Sequence, residues 1–335
     1  MKYIKRLLSC AIVVFIIFGL TNYTTNLLWP SDLDVQMSKI KVMHTLPEDS
    51  VEVIIYGSSR AMRHIDVMEM YNQYGIGAFN YGSTWIHLNT CLVYLADSFK
   101  TQHPKVAVIE TSLIGDPLPE KNQEGEILVT SALASSVEKF RFIRQCFGYD
   151  VMRYVTYCFP FILFHNNWTD INEDSFHSPT EEYLKETMGF RDLDDGEEAT
   201  IQSITVPSYE KTEQWEIPAP DKELLDRMVS LCRKNGVEIV FYTSPVQEKY
   251  HYTNAMELYA LRNSAHYIDG YRELEEIGID PTADFMNKGH LNRNGAEKLG
   301  NYIGKYLYEN FSLTDMRKIT PNLWEEDKIE VVFDE

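Results

Sequence analysis

Three segments of the chain are apolar almost from end to end and rich in β-branched residues, which favours buried strands. They are VEVIIY (51–56), KVAVIETS (105–112) and VEIVFYTSP (237–245), and a fourth, AFNYG (78–82), is shorter. Helical patterns separate them, at about residues 64–74, 85–99, 221–235 and 295–311. Strands that have no polar face and alternate with helices are typical of a parallel sheet covered on both faces. The sequence therefore predicts a doubly wound α/β domain.

The α/β pattern is interrupted by residues 113–220, whose composition is different. Their first half is aromatic-rich and predicts helices, and DLDDGEEATIQSITVPSYEKTEQWEIPAP (192–220) is acidic and irregular. We therefore expect an α/β domain over residues 48–311 that carries a helical and loop insertion at its rim. The tail, residues 312–335, ends in KIEVVFDE, which is compatible with an edge strand.

The N-terminus predicts a membrane anchor. Basic residues within positions 1–6 precede a mostly apolar stretch at residues 7–29. As a helix, about 23 residues are long enough to cross a hydrocarbon layer of ~30 Å. No small-x-small cleavage pattern follows, so the segment is expected to be retained, with the basic end in the cytoplasm and the body exported. The polar residues 30–47 are interpreted as a stalk.

Composition excludes some classes of function. The formal net charge of −19 at pH 7 disfavours binding to nucleic acid or other polyanions. The nine histidines and five cysteines form no HExxH, HxH or CxxC pattern, and no phosphate-binding glycine motif is present. We expect no metal and no cofactor, and we expect the cysteines of the body to be mostly buried free thiols.

One serine follows the first predicted strand at a chemically useful place. In VIIYGSSRAM the strand runs into Gly57, Ser58 and Ser59. Reactive groups gather at the carboxyl ends of parallel strands, and a serine there can act as a nucleophile. The alternative interpretation is a turn or helix N-cap serine without catalytic function.

A histidine near the end of the chain could activate that serine. DFMNKGHLNRNG (284–295) places His290 in a short loop before the last predicted helix, which Asn292 or Asn294 can cap. A serine nucleophile needs a base within hydrogen-bond reach, and the base needs a group that orients it. We therefore predict that Ser59 and His290 meet at one edge of the sheet.

These segments resemble the SGNH (GDSL-like) hydrolase superfamily, in its membrane-anchored, extracytoplasmic branch associated with bacterial surface polysaccharides. The resemblance covers about residues 48–311 and implies a flavodoxin-like three-layer α/β/α fold. YGSSR resembles the block that carries the nucleophile, which implies Ser59. NYGS resembles the second block, which implies that Gly82 and Ser59 donate backbone N–H groups to an oxyanion. NKGHLNRNGAEK resembles the last block, which implies His290 as the base.

The insertion contains a further similar segment, HNNW, in which His165 and Trp168 could line the cleft. The other interpretation makes both residues core aromatics of the insertion. Arg60, beside the nucleophile, could steer an anionic substrate or form an ordinary salt bridge.

The chain departs from the family pattern in two places. Asn287 stands where the family has its acidic triad member; its amide oxygen can orient the histidine but supplies no charge. Asp284, one turn earlier, is the alternative orienting residue. The third block, Gly-x-Asn-Asp, is absent, and Thr111 or Ser112 would have to supply its donor. These departures predict a slow or specialised enzyme.

The resemblance implies a membrane-anchored serine esterase or O-acyltransferase that acts on acyl esters of a cell-envelope polysaccharide. Its expected partners are an acylated glycopolymer or small acyl ester and a membrane-bound O-acyltransferase. Its expected location is the bacterial cell membrane, with a single pass and an extracytoplasmic body. The alternative is a catalytically degenerate module of the same fold that binds a glycan or the membrane acyltransferase.

Overall fold

The computed structural model describes residues 2–84, 86–116, 128–191, 202–208, 215–247, 250–319 and 323–324. Their centre is a five-stranded sheet with the order β2-β1-β3-β4-β5, in which every neighbouring pair is parallel. The strands are β1 (Val53–Tyr56), β2 (Ala78–Asn80), β3 (Val106–Glu110), β4 (Glu238–Thr243) and β5 (His266–Asp269). This is the flavodoxin-like strand order, in which ligands bind where β1 and β3 diverge.

Helices cover both faces of the sheet, so the fold is a three-layer α/β domain. Helix α5 (Leu88–Ser98) packs with α10 (Ala219–Lys234), while α3 (Ser59–His64) and α4 (Val67–Tyr74) pack with α13 (Arg293–Asn310). The four strands predicted from the sequence are present, each shorter than its pattern. β5 was not predicted because only its last two residues are buried and no apolar run marks it.

The remaining helices lie in the insertion and beside β5. They are α6 (Val137–Phe147), α7 (Val151–Cys158), α8 (Phe161–Phe164), α9 (Pro179–Glu186), α11 (Thr253–Arg262) and α12 (Leu274–Ile277). A small antiparallel hairpin, β6 (Phe285–Asn287) and β7 (His290–Leu291), precedes α13. Much of the acidic stretch 192–220 and the KIEVVFDE tail lie outside the described residues, so the proposed edge strand is untested.

Helix α1 (Lys2–Leu27) covers most of the segment for which we predict an anchor. Over the part of the chain that the structure describes, no helix is both long and apolar enough to cross a membrane.

The interpretation of residues 30–47 as a polar stalk is wrong. Most of this segment forms α2 (Asp34–Thr45), which buries Met37, Ile40 and Met43 in the core together with the polar residues Gln36 and Lys39. The sequence does not predict this helix, because its buried positions include polar side chains and form no continuous apolar stripe. The folded body therefore begins at α2.

Gly57, between β1 and α3, is required by its backbone conformation and its surroundings. Its φ is +146°, and a Cβ atom added there would lie 2.4 Å from the Cβ of Glu110. Only glycine adopts this φ without strain, and no neighbour can move because Glu110 belongs to β3. The turn that presents Ser58 and Ser59 is therefore closed tightly against the centre of the sheet.

We predict that Gly57→Ala destabilises the protein by at least about 2 kcal/mol, since it combines backbone strain with overpacking. Gly278→Ala is the matched control, because Gly278 also has a positive φ of +78° but nothing lies within 4 Å of its added Cβ. The midpoint of chemical unfolding measures both. Equal losses for the two variants would show that Glu110 does not crowd position 57.

Candidate active site

The buried carboxylate of Glu110 holds the start of α3 in place through hydrogen bonds. Ser58 is the N-cap residue, and its Oγ accepts from the Arg60 N–H at 3.1 Å and donates to Glu110 Oε2 at 2.8 Å. Glu110 is fully buried at the end of β3 and also accepts from the Ser112 N–H and Oγ, each at 2.7 Å. The Ser58 hydroxyl is thus engaged in the structure of the turn, which leaves Ser59 as the candidate nucleophile.

Ser59 and His290 lie next to each other although they are 231 positions apart in the chain. The Ser59 Oγ is 2.9 Å from His290 Nε2, and both residues are half-buried. In the tautomer that this geometry requires, Nε2 accepts the hydroxyl proton and Nδ1 carries the ring proton. This is the arrangement of a serine nucleophile and its general base.

Asn287 orients the imidazole. The β6–β7 hairpin pairs Asn287 with His290 across Lys288 and Gly289. The Asn287 Oδ1 lies 3.2 Å from His290 Nδ1 and also accepts from the Gly289 N–H at 2.9 Å. Because Oδ1 accepts from both groups, the amide is held in one orientation and the ring proton stays on Nδ1.

The alternative prediction, that Asp284 orients His290, is wrong, because the Asp284 carboxylate is bound to other groups. Its carboxylate is fully buried and forms an ion pair of 2.6 Å with Lys298. It also accepts from the Asp280 N–H at 2.7 Å and from the Asn294 side chain. Asp284 therefore fastens the start of β6 to α13, and Asn292 rather than Asn294 caps that helix.

A second, buried histidine holds the hairpin against α3. His64, at the end of α3, accepts at Nε2 from the Leu291 N–H at 3.2 Å, so its Nδ1 must donate to Ser244 Oγ. Its ring meets that of His290 edge-on, with centroids 5.7 Å apart. Burial holds the pKa of His64 well below its usual value, so it stays neutral. His64 is therefore a positioning residue for the base.

The environment of His290 disfavours its protonation. Burial lowers the pKa of His290 to about 4, and the positive charges of Arg63 and Arg60 act in the same direction. The imidazole is neutral at pH 7 and able to accept a proton. It is, however, a weaker base than an ordinary histidine.

Three of the residues predicted to supply oxyanion donors already use those donors within the fold. The Gly82 N–H donates to the side chain of Asn80 at 3.1 Å, so this donor is already occupied. Gly82 has a different reason to be glycine, because an added Cβ would lie 2.6 Å from the backbone N of Met62. The Thr111 hydroxyl is bonded to β4, and both donors of Ser112 are bonded to Glu110.

Helix α2 holds the loop that contains Gly82. Lys39 is fully buried, and its Nζ donates to the Gly82 carbonyl at 2.6 Å. Gln36 Nε2 donates to the Thr84 hydroxyl at 2.7 Å. The same loop bonds to the nucleophile turn, since the Ser83 N–H donates to the Gly57 carbonyl at 3.0 Å. The segment interpreted as a stalk thus supports the site.

A polar cavity of about 460 Å³ opens beside the nucleophile. Its lining includes Ser59, Arg60, Ser112, Tyr250 and Tyr252. The cavity is large enough for an ester together with one or two neighbouring groups, and it places the Arg60 side chain beside them.

His165 and Trp168 do not line this cavity, and they are not core residues either. Both lie on a 3₁₀ turn of the insertion and are exposed, Trp168 by 68%. His165 Nδ1 contacts the Ile162 carbonyl at 2.9 Å, a local bond within the same segment. Both interpretations of the HNNW segment, as cleft lining and as core aromatics, are therefore wrong.

Metal ligation is not apparent in the described ranges, where no group of three or more histidine, cysteine or acidic side chains could hold an ion. The described cysteines are free thiols: Cys91, Cys146 and Cys232 are buried, and Cys158 is half-buried.

Comparison with known proteins gives little further information. No family model and no curated protein matches the chain. A predicted acylhydrolase from Bacteroides fragilis is 11% identical with a TM-score of 0.38, over 80% of this chain and 93% of that one. A gut microbial diltiazem-metabolizing enzyme is 14% identical with a TM-score of 0.26, over 79% of this chain and 48% of that one. Similarity at this level leaves the function to be inferred from the site.

We predict that the imidazole of His290 titrates with a midpoint of about pH 4, measured by NMR and assigned with a His290→Gln variant. Unfolded histidine titrates near pH 6.5. The folded state therefore binds fewer protons between these values, and this group's contribution to stability falls as the pH is lowered from 6.5 to 4. A midpoint near 6.5 would contradict the buried, positively charged environment.

Proposed function

We propose that the protein is a serine hydrolase or acyltransferase that acts on ester bonds. The observation that carries the proposal is the chain of contacts from Ser59 Oγ to His290 Nε2 at 2.9 Å and from His290 Nδ1 to Asn287 Oδ1 at 3.2 Å. Nucleophile, base and orienting group stand in the order that acyl transfer requires.

The reaction follows from this geometry. His290 takes the hydroxyl proton as Ser59 attacks the ester carbonyl, and it returns that proton to the departing alcohol. An acyl ester on Ser59 remains. A water, or the hydroxyl of an acceptor, then gives its proton to His290 and attacks the acyl group, and His290 returns that proton to the Ser59 Oγ as the acyl–serine bond breaks. The resemblance assigns the Ser59 N–H, at the first turn of α3, as a backbone donor to the developing oxyanion.

We expect the enzyme to be slow. Replacing the charged member of a serine triad by an amide can cost about 10⁴ in turnover, and Asn287 supplies no charge to the imidazolium. The lowered pKa of His290 weakens the base further. Turnover at neutral pH is therefore limited by proton transfer from Ser59.

The charges beside the site favour a substrate that carries a negative group near its ester. Burial is the main cause of the lowered pKa of His290; although the chain has a net charge of −19, the charged groups that lower this pKa further are the cations Arg63 and Arg60. A bound anion would offset these cations and raise the pKa of His290 toward the working pH. Such a substrate would thus strengthen the base that acts on it.

The cellular setting is part of the proposal. The apolar segment 7–29 would anchor the protein in the bacterial cell membrane with the body outside. An acylated envelope glycopolymer would then be donor or acceptor, and a membrane-bound O-acyltransferase would be the partner. These elements are supported by the N-terminal sequence and by the resemblance to the extracytoplasmic SGNH branch. Both hydrolysis and transfer are compatible with the site.

A second candidate function is a non-catalytic module that binds a glycan or the acyltransferase. It is favoured by the engaged Gly82 N–H and by the hydroxyls of Thr111 and Ser112, which are bonded within the fold. Each missing oxyanion donor costs roughly 3 kcal/mol of transition-state stabilisation. Labelling of the nucleophile separates the two candidates.

We predict that a fluorophosphonate probe modifies the wild-type protein at Ser59 and does not modify Ser59→Ala. Ser58→Ala is the matched control: it removes the adjacent hydroxyl, with the helix cap and the bond to Glu110, at a cost of about 2 kcal/mol or more of stability, but leaves the nucleophile. Mass spectrometry of the labelled peptide locates the adduct. A folded wild-type protein that stays unlabelled would favour the non-catalytic module.

Two further variants separate the roles of the neighbouring polar residues. Asn287→Ala should lower the rate of ester hydrolysis about 10²-fold or more with little change in stability, since it releases the imidazole. Asp284→Asn should instead lower stability by about 2 kcal/mol, because it removes the charge of the buried carboxylate that accepts from Lys298, Asp280 and Asn294. Kinetics and unfolding curves measure both. The opposite pattern would make Asp284 the orienting residue.

A further inference from the structure

The insertion exposes an unusually apolar surface between Tyr149 and Trp168. Eight large apolar side chains there are each at least 36% exposed: Tyr149, Val151, Met152, Val155, Phe159, Phe161, Ile162 and Trp168. We call this surface the α7–α8 face. Clusters of exposed apolar side chains on a protein surface often mark a contact with a membrane or another protein.

Helix α7 is amphipathic in a way that produces the face. Val151 and Val155 are four positions apart and point outward with Met152, whereas Thr156 and Tyr157 are buried beneath them. Residues at this spacing form one stripe along a helix. The stripe faces away from the core, so its apolar character does not serve the packing of the body.

The face adjoins the C-terminal end of α1. Helix α8 packs against α1, and Asn167 Nδ2 donates to the Leu28 carbonyl at 3.0 Å. Pro30, just after α1, lines a cavity together with Arg153 and Leu163 of the insertion. Helix α1 is itself apolar on its outside, with Phe15 77% and Leu20 60% exposed. Two exposed apolar surfaces therefore meet where α1 enters the body.

The α7–α8 face and its neighbours include residue types that are common at membrane–water interfaces. Tyr149 and Trp168 are the aromatic types enriched at that depth. The guanidinium of Arg144 lies 4.2 Å from the ring centroid of Tyr149, and that of Arg153 lies 4.7 Å from that of Phe147. Arginines that stack on aromatic rings can keep their charge at the headgroups while the rings enter the apolar layer.

We propose that the α7–α8 face lies in the interfacial layer of the same bilayer that anchors α1. A bilayer covers both apolar surfaces at once, and the side chains that flank them suit its interface. The proposal rests on the anchor proposed above, but not on the chemistry of Ser59. A protein partner is the competing occupant.

This contact would fix the height of the active site above the membrane. Helix α2 follows α1 after a short turn and, with 12 residues, is about 18 Å long. Lys39 lies near its middle and holds the Gly82 carbonyl beside α3. With both α1 and the α7–α8 face on the bilayer, the body cannot swing about its anchor. The site is then held within reach of a membrane-linked substrate.

Depth-dependent fluorescence quenching tests the proposal on the full chain. A bimane label is placed at Met152→Cys, in a background without Cys10 and Cys158, and the protein is reconstituted into phosphatidylethanolamine–phosphatidylglycerol vesicles with doxyl-labelled lipid. Leu261→Cys in α11 is the matched control, because Leu261 is 75% exposed and Met152 66%. We expect quenching at residue 152 to exceed that at residue 261 severalfold.

Equal quenching at the two positions, in protein that floats with the vesicles, would overturn the proposal and leave the anchor standing. Such a result would favour a protein partner for the face. Protein that does not float with the vesicles would overturn both the anchor and the contact. Fluorophosphonate labelling of Ser59 in the same samples reports on the chemistry separately, so its failure is distinguishable from either outcome.

Discussion

The hydrogen bond between Ser59 Oγ and His290 Nε2 is the contact on which the account of this protein depends. Its two partners are 231 positions apart in the sequence, and each is held in place by its own set of buried groups. On one side, Gly57 and Glu110 fix the turn that carries the serine. On the other, His64 fastens the β6–β7 hairpin to α3. The site is thus preorganised by the core rather than by its own two side chains.

The charged groups that act on His290 are positive, whereas the chain as a whole is negatively charged. The chain is strongly acidic, but burial lowers the pKa of His290, and the positive charges of Arg63 and Arg60 lower it further, so the imidazole is held neutral. An amide at position 287 fixes the tautomer without adding charge. In the proposed mechanism, the reactivity of Ser59 would therefore depend on what binds beside it, because a bound anion would change the electrostatics of His290.

The sequence was sufficient for four of the five strands and for the pair Ser59 and His290, because apolar strands and a strand–Gly–Ser–Ser turn are local patterns. It could not reveal β5, which is half-buried, or α2, whose buried Lys39 looks like a solvated residue. The choice between Asp284 and Asn287 was also beyond it, since both precede His290 closely and only the hairpin register decides. The roles of His64 and Glu110 depend on contacts between distant segments, which no local pattern records.

The central claim is that His290 activates Ser59. The most direct measurement is the second-order rate constant for phosphonylation of Ser59 in the wild-type protein and in a His290→Ala variant, at pH 7. General-base assistance contributes roughly 10²–10⁴-fold to such steps, and we predict a loss in that range. A variant that reacts at the wild-type rate would show that the two side chains, although adjacent, do not act as nucleophile and base.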